Sequence, residues 1–371
     1  MTHICMVHNN FDDRSSIGRL AKWAAEVALE AGMRVTLVAD KVDPVLAKAA
    51  TVRPLYIPPK LHAVQWLAAR ATIRRAMGGV SYDLVHVHQP QVAALADIWQ
   101  VHFLSRANAR SGGMTGIDSL RTAAHRAQEE IVVRAEGHYL RRLPASTEVL
   151  FCSEWLRDEF AALYGAPATQ GVLVNPGPPA QPPTPEAQRA AARARFELPV
   201  DEFVVGYLGG RDRRKGYAEL IDRVAEAPEV HLLLAGSGSE EIEDARLGTR
   251  LHPAGRLSGA DLGDFFAAVD VLAVPSRFDP CPVVVNEAAS RGVPVLASPR
   301  VGNGTEVARY GAGFVWDALQ QPLAPAVAKL RADSAGYADR ARSMADALSY
   351  EQRAKLLLEH YSAAAERRRA S

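Results

Sequence analysis

The sequence is short of several features that mark large protein classes. It holds three cysteines in 371 residues, Cys5, Cys152 and Cys281, each in or beside an apolar run and none near another. That spacing excludes a disulfide framework and a zinc pattern, and leaves reduced, buried thiols as the reading. An excess of one charge is also lacking: 43 Lys and Arg stand against 42 Asp and Glu, a net of +1. General nucleic-acid binders show a clear basic excess, so nucleic acid is not expected as a partner. No apolar run reaches the roughly 18 residues of a spanning helix. The opening MTHICMVHNN has neither the cationic start nor the long apolar stretch of a signal peptide. A cytoplasmic protein is expected, with peripheral contact at the inner face of a membrane open to it.

What is present is α/β rhythm. Hydrophobic residues make up 48% of the chain, enough for two cores, and the length suits two domains. Ile4–His8 reads as a first strand. Gly18–Ala31 reads as a helix with Leu20, Trp23, Ala24, Val27 and Ala28 on one face, stopped by Gly32. Arg34–Ala39, Asp83–His88, Ile98–His102 and Val149–Cys152 read as further strands. The stretch Asn175–Pro185 holds six prolines and one glycine; proline continues neither a ladder nor a helix interior, so this is a linker. The rhythm restarts with strands at Phe203–Leu208, His231–Ala235, Val271–Val274 and Val293–Ala297. Strand–helix alternation predicts two parallel, doubly wound sheets with a cleft between them, ligands lying at carboxyl ends of strands. The tail from Tyr350 to Arg369 reads as a helix, with Arg367–Arg369 as a solvated end.

The residues that carry chemistry fall mainly in the second half. In PSRFDPCPVVVNEAASRGVP, Pro275–Pro294, Asp279 and Glu287 stand eight apart. The Val283–Val285 step between them reads as extended, and Glu287 reads as the start of a helix. There a carboxylate can accept two ribose hydroxyls and benefit from the positive helix end, while backbone amides of the same turn meet phosphate. In GYLGGRDRRKG, Gly206–Gly216, a strand enters Gly209–Gly210, four charges follow, and Lys215 reads as opening a helix. Glycines let phosphate approach the backbone, and cations offset charge on a leaving diphosphate. The Gly-x-Gly-x-x-Gly spacing of a dinucleotide fingerprint is absent, which argues against a nicotinamide dehydrogenase.

The first of these segments resembles the donor-site signature of retaining glycosyltransferases of family 4 (group 1), the GT-B type. The resemblance covers nearly the whole chain and is closest over Val204–Gly313. It implies two Rossmann-like domains facing a cleft. Residues 1–174 would form an acceptor-side domain, 175–185 the linker, 186–345 the nucleotide-sugar domain, and 346–371 a helix returning to the first domain. It implies that Glu287 holds the nucleotide ribose and that Asp279, where the family usually has Glu, lies by the transferred sugar. The family's glycine three residues later is Pro282 here, so amide contacts to the sugar fall to Cys281, Val283 or Val284. The second segment is similar to the family's Gly-Arg-…-Lys-Gly phosphate loop. Lys215 matches it directly; the usual arginine position is Gly210, which leaves Arg211 as the stand-in, with Arg213 and Arg214 open.

Weaker likenesses accompany these. Gly236 and Ser237 end a strand where a nucleotide lies close, and Arg256 follows a strand-end glycine near the base. Val301–Glu306 resembles the family's Gly-Gly-x-x-Glu loop, with Glu306 either at the phosphates or capping its helix. In the N-terminal half, Ser15, Ser16 and Gly18 stand where the family carries a loop over the donor phosphate. His102, at a strand end, matches a histidine that contacts the donor sugar; His86 and His88 read as structural.

The resemblance implies transfer of a sugar from a nucleotide-sugar, UDP being the commonest nucleotide, to an acceptor hydroxyl with retention of configuration. The partners are that donor and an acceptor of unspecified kind: glycan, lipid-linked glycan or small molecule. The family needs no metal, in keeping with a chain lacking an Asp-x-Asp pair, and no cofactor is expected. Local wording is similar to the lipopolysaccharide core glucosyltransferases. Two other readings stay in view: a nucleotide-sugar epimerase of the same fold, and a nucleotide-sugar-binding protein without catalysis. Neither the sugar, the acceptor nor the oligomeric state is legible.

Overall fold

The computed structural model describes residues 1–55, 62–116 and 119–370. The chain divides into two compact units. The first comprises Met1–Arg110, Met114–Asn175 and Glu351–Ser371; the second comprises Ser111–Gly113 and Pro176–Tyr350.

The first unit is built on β1 (His3–Val7), β2 (Asn10–Phe11), β3 (Arg34–Ala39), β4 (Lys41–Val42), β5 (Thr51–Pro54), β6 (Leu84–Val87), β7 (Ile98–Val101), β8 (Glu148–Phe151) and β9 (Thr169–Val172). Seven of these form one parallel sheet in the order β5-β3-β1-β6-β7-β8-β9, and β2 pairs β4. All five residues of β1 are buried. That is why the strand reads as an unbroken apolar run: a parallel sheet is covered on both faces. Helix Ser16–Glu30 supplies part of the cover through Leu20, Trp23, Ala24, Val27 and Ala28. It begins where the Ser15 hydroxyl accepts the Gly18 amide at 3.0 Å, the usual satisfaction of a first-turn donor.

The chain steps outward from β1 to β3 and β5, then returns to place β6 on the other flank of β1. Strand order therefore reverses between β1 and β6, the place where doubly wound sheets hold ligands. His8 follows β1, His88 follows β6 and His102 follows β7.

The final helix, Tyr350–Ala370, belongs to this first unit from Glu351 onward. Its fastening is specific. Glu148, 4% exposed, lies 2.6 Å from His360 Nδ1 and 2.5 Å from Arg367 Nη2. Arg368 pairs with Asp97, and the Tyr361 hydroxyl and His86 Nδ1 share a hydrogen bond at 2.8 Å. The expectation of a solvated Arg367–Arg369 end is thus corrected: two of the three arginines are ion-paired to the sheet. Burial alone would raise the Glu148 pKa, but His360 and Arg367 outweigh it and hold the carboxyl below its ordinary value.

The second unit carries β10 (Phe203–Leu208), β11 (Val230–Ala235), β12 (Leu251–Gly255), β13 (Val271–Val274), β14 (Val295–Ala297) and β15 (Gly313–Val315). They form one parallel sheet in the order β12-β11-β10-β13-β14-β15. Its core joins Val205, Tyr207, Leu232, Leu234, Val271 and Leu296 of the sheet to Leu220, Ile221 and Val224 of helix Tyr217–Ala225. Each such side chain contributes about 1.5–3 kcal/mol when fully buried. Here order reverses between β10 and β13, and the two chemistry-bearing segments follow those two strands. The proline-rich stretch is held to this unit: Gly177 donates to Leu348 at 3.0 Å and Gln181 to Ser290 at 2.6 Å. Among the described residues no helix is long and apolar enough to cross a membrane.

Candidate functional site

In the second unit the segment after β10 is shaped by its own polar groups. The Tyr207 hydroxyl donates to the Gly210 carbonyl at 2.9 Å, and burial keeps that phenol protonated by raising its pKa. Asp212 accepts the Arg214 amide at 2.9 Å and so starts a short 3-10 turn, Arg213–Lys215. Lys215 therefore ends this turn instead of opening the helix. The helix, Tyr217–Ala225, begins after Gly216, whose φ is +71°. A Cβ at Gly216 would lie 2.1 Å from the Pro275 carbonyl oxygen, so only glycine fits between the two segments.

The segment after β13 laces onto that turn. Arg277 donates its amide to the Arg214 carbonyl at 2.7 Å, and Arg214 Nη1 returns to the Phe278 carbonyl at 2.9 Å. Asp279 is fixed by its own backbone, donating to Arg300 at 3.0 Å and accepting from Gly302 at 2.9 Å. Its side chain, 10% exposed, accepts from Lys215 Nζ at 2.6 Å, and Arg214 Nη1 stands 3.9 Å from the same oxygen. Two cations and one carboxylate thus converge at the β10/β13 reversal.

The arginine beside Lys215 is Arg214, not Arg211. Arg211 points away, pairing with Glu241 at 2.6 Å on the exposed side of the loop, and Arg213 is exposed. Spacing alone does not separate the three; their partners do, Arg214 reaching the Phe278 carbonyl from the 3-10 turn and Arg211, ahead of that turn, pairing with Glu241.

Glu287 also differs from expectation. The helix runs Val283–Ser290, with Pro282 as its N-cap, so Val283–Val285 are helical and Glu287 is the fifth residue, not the first. The Arg291 guanidinium donates to the Glu287 carbonyl at 3.1 Å. Val283 and Val284, half-buried, occupy the first turn, where amides have no intrahelical partner. Asn303, fully buried, donates to the Pro282 carbonyl at 3.1 Å and braces this turn; the sequence marks it only as part of the Val301–Glu306 loop, with no role of its own. Cys281 is buried just ahead of the turn.

The weaker candidates are placed as follows. Gly236, at φ +133°, passes so close to Gly209 that a Cβ would lie 1.9 Å from its carbonyl oxygen; the β10 and β11 loops touch through it. Ser237 and Arg256 are exposed, and Gly210 has open space around it. Glu306, 4% exposed, is the third residue of helix Gly304–Tyr310 and takes Arg309 at 2.7 Å, so it is an ion-pair partner and not the helix cap. In the first unit Ser15 is the cap of its helix, Ser16 is exposed at the first helical position, and Gly18 is buried.

The first unit holds a second polar group at its own order reversal. His88 Nδ1 and His102 Nε2 lie 2.9 Å apart, their rings stacked with centroids 5.2 Å apart. His8 meets His88 edge-on at 5.7 Å, and His86 lies 4.4 Å from His88. Burial lowers all four: His8 to about 4, His86 and His102 to about 3, and His88 well below the ordinary value. At neutral pH the group is uncharged. His88, read from sequence as structural, is the direct partner of His102.

Residues 16–179 match the model for Glycosyltransferase Family 4, and residues 188–355 match that for Glycosyl transferases group 1. The lipopolysaccharide core biosynthesis glycosyltransferase LpsE of Rhizobium meliloti is 37% identical over 113 residues, 29% of this chain; the match spans 33% of that protein's length. The D-inositol 3-phosphate glycosyltransferase of Xylanimonas cellulosilytica is 30% identical over 343 residues, 84% of this chain and 79% of that protein. Among solved structures, sucrose-phosphate synthase from Thermosynechococcus elongatus superposes with a TM-score of 0.72 at 21% identity, covering 98% of this chain and 99% of the other. Anabaena Alr3699/HepE in complex with UDP and glucose gives 0.69 at 18% identity, covering 98% and 100%.

Proposed function

The chain belongs to the group 1 glycosyltransferases of family 4, and on that premise we propose that it moves a sugar from a UDP-sugar to an acceptor hydroxyl, with retention and without a metal. The observation that carries this reading is the convergence of Lys215, Arg214 and Asp279 after β10 and β13. Positive charge held at a strand-order reversal suits a diphosphate, and it costs no rearrangement when charge develops there.

As the bond to the anomeric carbon breaks, negative charge grows on the leaving diphosphate and positive charge on the sugar. Lys215 and Arg214 meet the first. Asp279, already within 2.6 Å of Lys215, holds that ammonium in place and stands ready for the second. The leaving phosphate oxygen accepts the acceptor's proton, so no protein base is required. Glu287 is assigned to the ribose hydroxyls, and the first-turn amides of Val283 and Val284 to the phosphate or sugar oxygens. UDP is the nucleotide in the complex of the Anabaena structural relative, which supports the choice of uridine.

The test is incubation of the full chain with UDP-sugars, alone and with an acceptor panel, in the presence and absence of EDTA. Release of UDP that persists in EDTA, with a product of the donor's own anomeric configuration, is expected. An epimerised UDP-sugar formed without acceptor, or saturable UDP binding with neither hydrolysis nor transfer, contradicts the reading.

A further inference from the structure

Two departures from the resembled family meet in the second unit. The family's glycine three residues after its first acid is Pro282 in this chain. The second glycine of its Gly-Gly-x-x-Glu loop is Asn303. The two lie in contact: Asn303 Nδ2 donates to the Pro282 carbonyl at 3.1 Å. Asn303 gives up ordinary bonds to do so. It stands at the N-cap of helix Gly304–Tyr310, where an asparagine oxygen usually accepts a first-turn amide, yet its side chain makes no cap bond. Its Oδ1 is left buried without a partner, an uncommon state for a buried polar atom. The same Nδ2 lies 3.5 Å from Asn286 Oδ1, on the helix that Pro282 opens.

Two further bonds join this loop to the donor segment. The Asp279 amide donates to the Arg300 carbonyl at 3.0 Å, and the Gly302 amide to the Asp279 carbonyl at 2.9 Å. Both use main-chain groups that any sequence supplies; the bond from Asn303 depends on its side chain. Pro282 makes that bond matter. It has no N–H to offer a ligand and no side-chain oxygen to cap its helix. Its carbonyl takes the Val285 amide at 3.2 Å as well as Asn303. The amides of Val283 and Val284 are left for the ligand, and their direction follows from how the Pro282 peptide is held. Amides at a helix start act on an anion when they are aimed at it beforehand.

We propose, resting on the transferase reading above, that Asn303 is a positioning residue for the donor diphosphate. It holds the Pro282 carbonyl so that the Val283 and Val284 amides meet phosphate oxygens, and it offsets the amide that proline at 282 removes. The two residues act as a pair: with glycine at 282 a third amide is available, and the hold from Asn303 is needed less.

The experiment is a double-mutant cycle on the full chain, with UDP and uridine as probes and affinity read by calorimetry on variants of checked melting temperature. Asn303→Gly in the Pro282 chain is expected to weaken UDP about tenfold, the scale of one lost hydrogen bond that leaves a buried carbonyl short of a donor. Uridine, which has no phosphate, is expected to stay within about twofold, a split that general loosening of the fold would not give. In a Pro282→Gly chain the same Asn303→Gly change is expected to cost at most about threefold, the mark of coupled residues. Asn303→Asp keeps the side-chain volume, removes the donor and sets a carboxylate by the turn; it is expected to weaken UDP at least about tenfold, and it carries the test if the glycine variant does not fold. Equal costs in the two backgrounds, UDP and uridine weakened alike, or wild-type UDP affinity in Asn303→Asp would each overturn the proposal while the transferase reading stands. A wild-type chain that binds no UDP would end both.

Discussion

Lys215 and Asp279, sixty-four positions apart in the chain, meet at 2.6 Å because the turn after β10 and the loop after β13 are laced by three hydrogen bonds and a glycine contact. An ammonium held by a carboxylate is poised without being fully neutralised, since a diphosphate oxygen can share it. Loss of that charge should tell mainly in the transition state. Lys215→Ala is expected to cost about 2–4 kcal/mol of transition-state stabilisation, as for removal of a preorganised electrostatic donor. Turnover of UDP-sugar by a variant with unchanged melting temperature checks it.

The neighbouring arginine gives a sharper comparison. Arg214 reaches the Asp279 group, whereas Arg211 is bound to Glu241 on the exposed side. Arg214→Ala is expected to reduce kcat/KM by roughly tenfold to a hundredfold, and Arg211→Ala by less than about threefold, the scale of an exposed pair. Equal losses would return the diphosphate contact to Arg211.

Much of this was open to reading from sequence, and the misses have physical causes. Strands β3, β10 and β13 fall where apolar runs predict them, because strands buried on both faces leave a continuous signature. The sequence predicts a later start for the helix holding Glu287, since three consecutive valines favour extended backbone. Pro282 as N-cap and the brace from Asn303 override that preference. Local spacing does not separate Arg214 from Arg211, because the contacts that distinguish them, with Phe278 and Glu241, are made across the fold. The tie between His88 and His102 joins the ends of two strands, and a long-range contact leaves no mark in local spacing.

The glycine between the two segments offers a backbone test. Gly216→Ala forces a side chain against the Pro275 carbonyl at a positive φ. It should cost about 1–3 kcal/mol in backbone strain alone and weaken UDP binding more than it lowers the melting temperature, since it separates Lys215 from Asp279. Calorimetry on one preparation reads both.

The buried imidazoles predict how stability follows pH. Their folded-state pKa values, about 4 for His8 and about 3 for His86 and His102, lie below the ordinary 6.5. Between those limits the unfolded chain binds more protons, so stability rises with pH; it is fully present above about 6.5 and is lost as pH falls towards 4. The slope is at most about 1.4 kcal/mol per pH unit for each imidazole. Denaturant midpoints at pH 7 and pH 5 are expected to differ in that direction, and His102→Gln to flatten the difference.

The last helix is fastened through Glu148. Glu148→Gln should weaken its hold on His360 and Arg367, both partly exposed, by roughly 1–2 kcal/mol. Hydrogen exchange should rise in 351–370 before it rises in β10 or β11. Exchange unchanged in that helix would show that its packing, through residues such as Tyr361, is sufficient.

The most direct check on the whole account is acceptor-free release of UDP from a UDP-sugar by the full chain and by Lys215→Ala. The wild-type chain is expected to release UDP, and the variant, with its fold intact, to do so at least about thirtyfold more slowly. Equal rates from the two, or none from the wild type with any nucleotide-sugar, would contradict the assignment of the leaving diphosphate to Lys215.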